Sequence, residues 1–103
     1  MHKVAYLVTL MLLVCTSEAA FAANPGNGST LAQRWCAACH IVSDSQSKGT
    51  DIAPSFASIA GRPDFNVEKL AYFLLEPHPK MPNMSLSRDE AKDLSAYIGE
   101  QRR

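Results

Sequence analysis

"RWCAACHIV", residues 34–42, sets two cysteines and a histidine within five positions: Cys36, Cys39 and His40. Three chemistries use such a cluster. It can be a redox dithiol, half of a zinc site, or the place where a haem is captured covalently. Each needs a different scaffold, so the sequence around the cluster decides both the chemistry and the fold.

A redox dithiol sits at the N-terminus of a helix, usually after a strand, where the helix dipole lowers the pKa of the first thiol. The pattern here is the reverse. In "TLAQRWCAACH", Leu31 and Trp35 are four apart, as are Ala32 and Cys36, and Cys39 follows three later. This is helical spacing, and it predicts a first helix over residues 30–40 with Ser29 or Thr30 as its cap. The cysteines then lie toward its C-terminal end, where the dipole has the wrong sign. A zinc site needs four ligands, or three and a water. Cys36, Cys39, His40 and His78 could supply four, but adjacent Cys39 and His40 rarely hold one ion together. Haem attachment accounts for the spacing directly. In C-x-x-C-H the two thiols add across the two vinyl groups of one haem, and the histidine falls under the iron as its proximal ligand.

The N-terminal end supports an exported, haem-bearing chain. Met1-His2-Lys3 is a short basic start, "VAYLVTLMLLVC" an apolar run too short to span a bilayer comfortably, and Ala20 and Ala22 form a small-x-small cleavage site. Residues 1–22 are therefore expected to be a signal peptide and 23–103 the single domain. Cys15 ends the apolar run but follows Val14, not a small residue, so it reads as part of the leader and not as a lipid attachment point. The mature chain would be about 80 residues, a length at which a hydrophobic core is marginal without a disulfide, metal or cofactor. The 103-residue sequence balances 10 Lys and Arg against 10 Asp and Glu. That balance offers no case for nucleic acid or an anionic membrane surface as partner.

Downstream, "NPGNGS" (24–29) reads as a flexible lead-in and "SDSQSKGTDIAPS" (43–55) as a loop. "FASIAGRP" holds one helical turn stopped by Gly61. "NVEKLAYFLLEP" places Val67, Leu70, Phe73 and Leu74 at helical offsets between an Asn66 cap and a Pro77 stop. Ser87 and Glu90 form a capping box for a last helix with an apolar stripe of Ala91, Leu94, Tyr97 and Ile98. No segment reads as a strand. The expectation is all-α: three main helices with long loops, which in so small a domain require something to fill the middle.

With His40 below the iron, the other face could take Met81, Met84, His78, Lys80 or nothing. Met81, in "HPKMPNM", is a soft thioether on a loop stiffened by Pro77, Pro79 and Pro82, and it is favoured. Met84 reads better as a packing contact, His78 as an exposed loop histidine and Lys80 as a solvated charge.

By these motifs and their order the chain resembles a class I c-type cytochrome, the small soluble bacterial monohaem kind. The resemblance covers nearly all of residues 23–103. It implies the cytochrome c fold, with the helices and loops wrapped around one covalently bound haem c. It implies Cys36 and Cys39 as thioether donors and His40 as proximal ligand. Through "APSF" it implies that the Pro54 carbonyl accepts from the His40 ring N–H. Through "AGRP" it implies Arg62 near a haem propionate, and through "KMPN" Met81 as the axial methionine, sixteen positions before Tyr97. It further implies that the first and last helices cross, bringing Gly28, Leu31 and Trp35 to Leu94, Tyr97 and Ile98. Phe56, Ile59, Leu70, Phe73, Leu74 and Met84 are the expected apolar surroundings.

The function expected is one-electron transfer between periplasmic or membrane-bound redox proteins, by a monomer or a subunit of a redox complex, with no membrane anchor after leader cleavage. The chain would not be an enzyme. Alternatives are a subunit of a dehydrogenase or sulfur-oxidising complex, a five-coordinate gas sensor or peroxidase, and a structural zinc module. Intact-mass spectrometry separates the last from the others: a mature chain beginning at Ala23 and carrying one haem is expected, and a haem-free chain with a bound metal would favour zinc.

Overall fold

The computed structural model describes residues 22–50, 53–76 and 80–103. The expected leader, including Cys15, and the alternative ligand His78 lie outside the described residues, apart from Ala22. Among the described residues there are four helices: α1 (Pro25–Trp35), α2 (Phe56–Ala60), α3 (Val67–Leu75) and α4 (Arg88–Glu100). Among the described residues there is no strand. Helices α1, α2 and α3 each pack on α4 and on no other helix. The architecture is the all-α one expected, three main helices and one short one.

The first helix differs from the sequence expectation at both ends. It starts at Pro25, not near residue 30, and "NPGNGS" is its first turn and a half instead of a lead-in. Asn24 caps it, its side chain accepting from the Asn27 N–H at 3.1 Å, and proline takes the first helical position, where a missing N–H costs nothing. The Asp93 carboxylate of α4 then grips this end. It accepts from the Asn24 backbone N–H at 2.7 Å and from the Asn27 side-chain amide at 2.8 Å. The two glycines that made the segment look flexible are tolerated because one of them is needed. A Cβ on Gly28 would stand 2.1 Å from the Asp93 carbonyl oxygen and 2.8 Å from the Tyr97 Cβ. Close approach of α1 to α4 outweighs the helix propensity that glycine forfeits.

At its other end α1 stops at Trp35, five residues before the expected limit. Both the Cys36 and Ala37 N–H groups turn to the Ala32 carbonyl, at 2.9 and 3.0 Å, which loosens the helix. The motif continues as a single turn, closed by the His40 N–H to the Cys36 carbonyl at 2.8 Å.

The remaining elements follow their local signals. Ser55 caps α2 and Gly61 ends it; Asn66 caps α3, which ends at Leu75, two residues before Pro77. Ser87 and Glu90 make a reciprocal capping box at α4, with both bonds at 3.0 Å. The buried face of α4 carries Ala91, Leu94, Tyr97 and Ile98 as expected, and also Ser95, which a hydrophobic pattern passes over. Ser95 is fully buried yet satisfied, because its hydroxyl donates to the Val67 carbonyl at 2.6 Å and joins α4 to the start of α3. Arg102 and Arg103 lie past the end of α4; Arg103 forms a surface ion pair with Asp44, of little energetic consequence at that exposure. No helix among the described residues is long and apolar enough to cross a membrane.

Gly28→Ala tests the α1–α4 contact. The methyl meets backbone, which cannot rotate away, so the helices must separate at a cost of about 1–3 kcal/mol. The expected readout is a lower denaturant midpoint for the haem-loaded protein, with Gly26→Ala, whose nearest neighbour lies at 3.2 Å, much less affected.

Candidate haem site

Three of the described helices meet α4 but not one another. A cavity of about 390 Å³ is lined by Trp35, Cys36, Cys39 and His40 of the motif, by Thr50, Ala53 and Pro54, and by Lys80, Met81, Pro82 and Met84. Residues separated by forty positions in sequence are thus brought to one concavity, mostly apolar with a few polar groups at its edge, as ligand sites generally are.

The motif turn presents its side chains unequally. Cys36 is buried and Cys39 exposed. Burial pushes the Cys36 thiol up to about 11. The thiol therefore stays protonated at neutral pH, the opposite of what a redox dithiol requires. Position adds to this, since the pair follows the C-terminal end of α1 and gains nothing from a helix N-terminus.

The imidazole of His40 is half-buried and fixed. Its Nδ1 lies 2.5 Å from the Pro54 carbonyl oxygen, and as that oxygen can only accept, Nδ1 is the protonated nitrogen. Nε2 then carries the free lone pair and is the nitrogen available to a metal; a carbonyl partner on the other nitrogen makes it the more basic. The ring packs beside Phe56, with centroids 5.5 Å apart at 47°. Phe56 in turn meets Tyr97 edge-on at 6.2 Å and 69°. Pro54 comes from the loop ahead of α2, held by the Phe56 N–H to the Ile41 carbonyl at 3.0 Å. The Tyr97 hydroxyl, buried, donates to the Val42 carbonyl at 2.7 Å, tying the chain after the motif to α4.

Met81, half-buried, and Met84, buried at 8% exposure, line the same cavity. Ser85 follows at φ 49°, a left-handed residue whose N–H bonds to the Asn83 side chain at 3.1 Å. That local turn takes the chain from the cavity wall into the α4 cap. Of the expected apolar surroundings, only Met84 lines the cavity. Phe56 contributes through His40, Leu74 belongs to the helix core, and Ile59 and Leu70 pack against that core half-buried. Phe73 is 42% exposed, because the buried face of α3 runs through Ala71 and Leu74 and turns Phe73 outward. Arg62 is exposed and is not among the cavity's lining residues.

The donor set suits a haem. Two thiols, one oriented imidazole nitrogen and two thioethers share one mostly apolar concavity. Among the described residues no group of three or more His, Cys, Asp and Glu side chains is placed to hold a bare metal ion.

Residues 23–98 match the family described as cytochrome c oxidase, cbb3-type, subunit III. The chain belongs to the cytochrome c family. It is 56% identical over 93 residues to a cytochrome c-552 of Bradyrhizobium diazoefficiens, an alignment spanning 89% of each chain. No solved structure matches it. As a small monohaem c-type cytochrome it binds one haem c covalently and is an electron-transfer protein, not an enzyme.

Two residues of this cytochrome's site went unnoticed in the sequence. Thr50 donates to the Cys39 carbonyl through both its N–H, at 2.9 Å, and its hydroxyl, at 3.3 Å. The Gln46 side chain bonds the backbone on both sides of it. Both stand in a polar loop where no periodicity marks them.

Phe56→Ala removes the ring between His40 and Tyr97. It is expected to destabilise the haem-loaded protein by about 3–5 kcal/mol, the usual cost of such a truncation, read from thermal unfolding. Tyr97→Phe, which leaves the Val42 carbonyl buried without its donor, should cost about 1–3 kcal/mol.

Proposed function

We propose that this cytochrome is an exported one-electron carrier whose iron is held between His40 and Met81, with Cys36 and Cys39 as the thioether anchors. The single observation carrying this reading is the common cavity, lined both by the C-x-x-C-H turn and by Met81. Haem c supplies the redox couple there; the chain supplies its setting. The Pro54 carbonyl holds the His40 proton at Nδ1 and leaves Nε2 for the iron. A thioether from Met81 would favour the ferrous form and raise the potential. With His40 and Met81 both holding the iron, no position would be open to a substrate, and the chain would need to move little between the two redox states. Phe56, Met84 and Trp35 limit water. Cys39, Thr50, Lys80 and Pro82 are exposed along the cavity's edge, the side on which redox partners would approach through a small, transient interface. Residues 1–22 are read as the leader that delivers the chain to the periplasm, where attachment of this kind takes place. Arg62 has no support from the cavity for a role at a propionate.

A second reading is favoured by the matching family, named for a subunit of an oxidase: the cytochrome would belong to a larger redox complex, with the same haem chemistry and a permanent partner. Size exclusion of native extract separates the two, since a free carrier elutes as a small protein.

Carbon monoxide tests the ligand set. The ferrous protein is expected not to take it up at neutral pH, Met81→Ala to take it up readily, and Met84→Ala to stay closed. Ready uptake by the unmodified protein would mean that the iron is not stably six-coordinate.

A further inference from the structure

The carbonyls at the end of a helix have no partners within it and must find them elsewhere. Past the end of α1 the motif turn also leaves carbonyls outside any helical ladder, and one side chain reaches several of them. Gln46 Nε2 lies 2.7 Å from the His40 carbonyl oxygen, 2.7 Å from that of Lys48 and 3.0 Å from that of Ala37. Its Oε1 accepts from the Val42 N–H at 3.0 Å. A primary amide has two N–H donors, so at least one is shared among the three carbonyls. The backbone N–H of Gln46 reaches the Ser43 carbonyl at 3.2 Å, closing the small loop that brings the side chain back to the motif.

His40 is thereby held from two directions. The Pro54 carbonyl fixes the ring at Nδ1, and Gln46 fixes the backbone from which the ring hangs. We propose that Gln46 is a positioning residue for the axial histidine: its amide sets the His40 backbone and, with Pro54, the plane in which the imidazole meets the iron. This rests on His40 being an axial ligand. The requirement is for an amide specifically. A carboxylate would keep the acceptor for Val42 but turn an acceptor toward three carbonyl oxygens. A methionine would fill the same space with none of the four bonds.

The test compares the haem-loaded protein with Gln46→Glu, Gln46→Met and Leu94→Val. The last is a truncation in the fully buried α4 core, which lowers stability and leaves every Gln46 hydrogen bond in place. The ferric proton spectrum is read for the spread of the haem methyl signals, which follows the orientation of the axial ligand planes, and the reduction potential is measured alongside. Both Gln46 variants are expected to keep covalent haem, to reorder the methyl signals and to shift the potential, while Leu94→Val keeps the unmodified pattern. Should Gln46→Glu fail to mature, Gln46→Met introduces no charge and gives the same readout. If the Gln46 variants lower only the unfolding midpoint, or if Leu94→Val moves the signals as much, the proposal is overturned. Absence of imidazole ligation in the unmodified protein would instead overturn the reading of His40 beneath it, a result visible before any variant is made.

Discussion

Gly28 lies so close to the Asp93 backbone that no side chain fits between them, and the rest of the structure hangs from that approach. It lets α1 sit directly on α4, and Asp93 secures it by accepting from Asn24 and Asn27. With α1 so placed, the motif turn at its end emerges beside Tyr97. The hydroxyl of that residue takes the Val42 carbonyl, and its ring backs Phe56, which backs His40. His40, the proposed ligand, is thus positioned by a chain of contacts that begins at a glycine twelve residues earlier and passes through the last helix.

Helix α4 is the common support. The other three helices pack on it and not on one another, which is an open arrangement for a domain of this size. Folding alone buries a modest set of side chains, among them Leu31, Ala32, Leu74, Ala91, Leu94 and Ile98. The part of the interior between the motif turn and the Met81 loop is left for the cofactor. A covalently attached haem both completes that core and cannot be lost from it, which is how a chain too short for a large protein core can still hold long loops in place.

Polar groups do more of this work than the composition suggests. Beyond the fully buried Val42, most of the described loop after the motif is polar. It is held by Gln46, Thr50 and the Ile41 and Val42 carbonyls, each satisfied by a named partner. Among the described residues no buried side-chain nitrogen or oxygen is left without a hydrogen bond. A half-buried loop with all its bonds made can be rigid without being hydrophobic, and rigidity under the ligand is what an electron carrier needs.

Sequence by itself determined the haem chemistry, the helical class and most helix limits. C-x-x-C-H has a spacing that few other functions share, and Ser87–Glu90, Asn66 and Gly61 are local stop and start signals that act whatever surrounds them. It misjudged α1 because glycines read as flexibility when taken alone. Only the neighbouring helix shows that Gly28 is there for closeness and that Asn24 and Pro25 open a helix. The same limit applies to Phe73, whose helical offset is right for a core residue but whose direction depends on where α4 lies. Gln46 and Arg62 show it most plainly. A glutamine in a polar loop and an arginine after a glycine carry no signal of where they point. The tertiary structure alone decided that the first reaches the carbonyl of His40 and that the second is exposed and outside the cavity's lining, because hydrogen bonds between distant parts of a chain exist only once packing has brought those parts together.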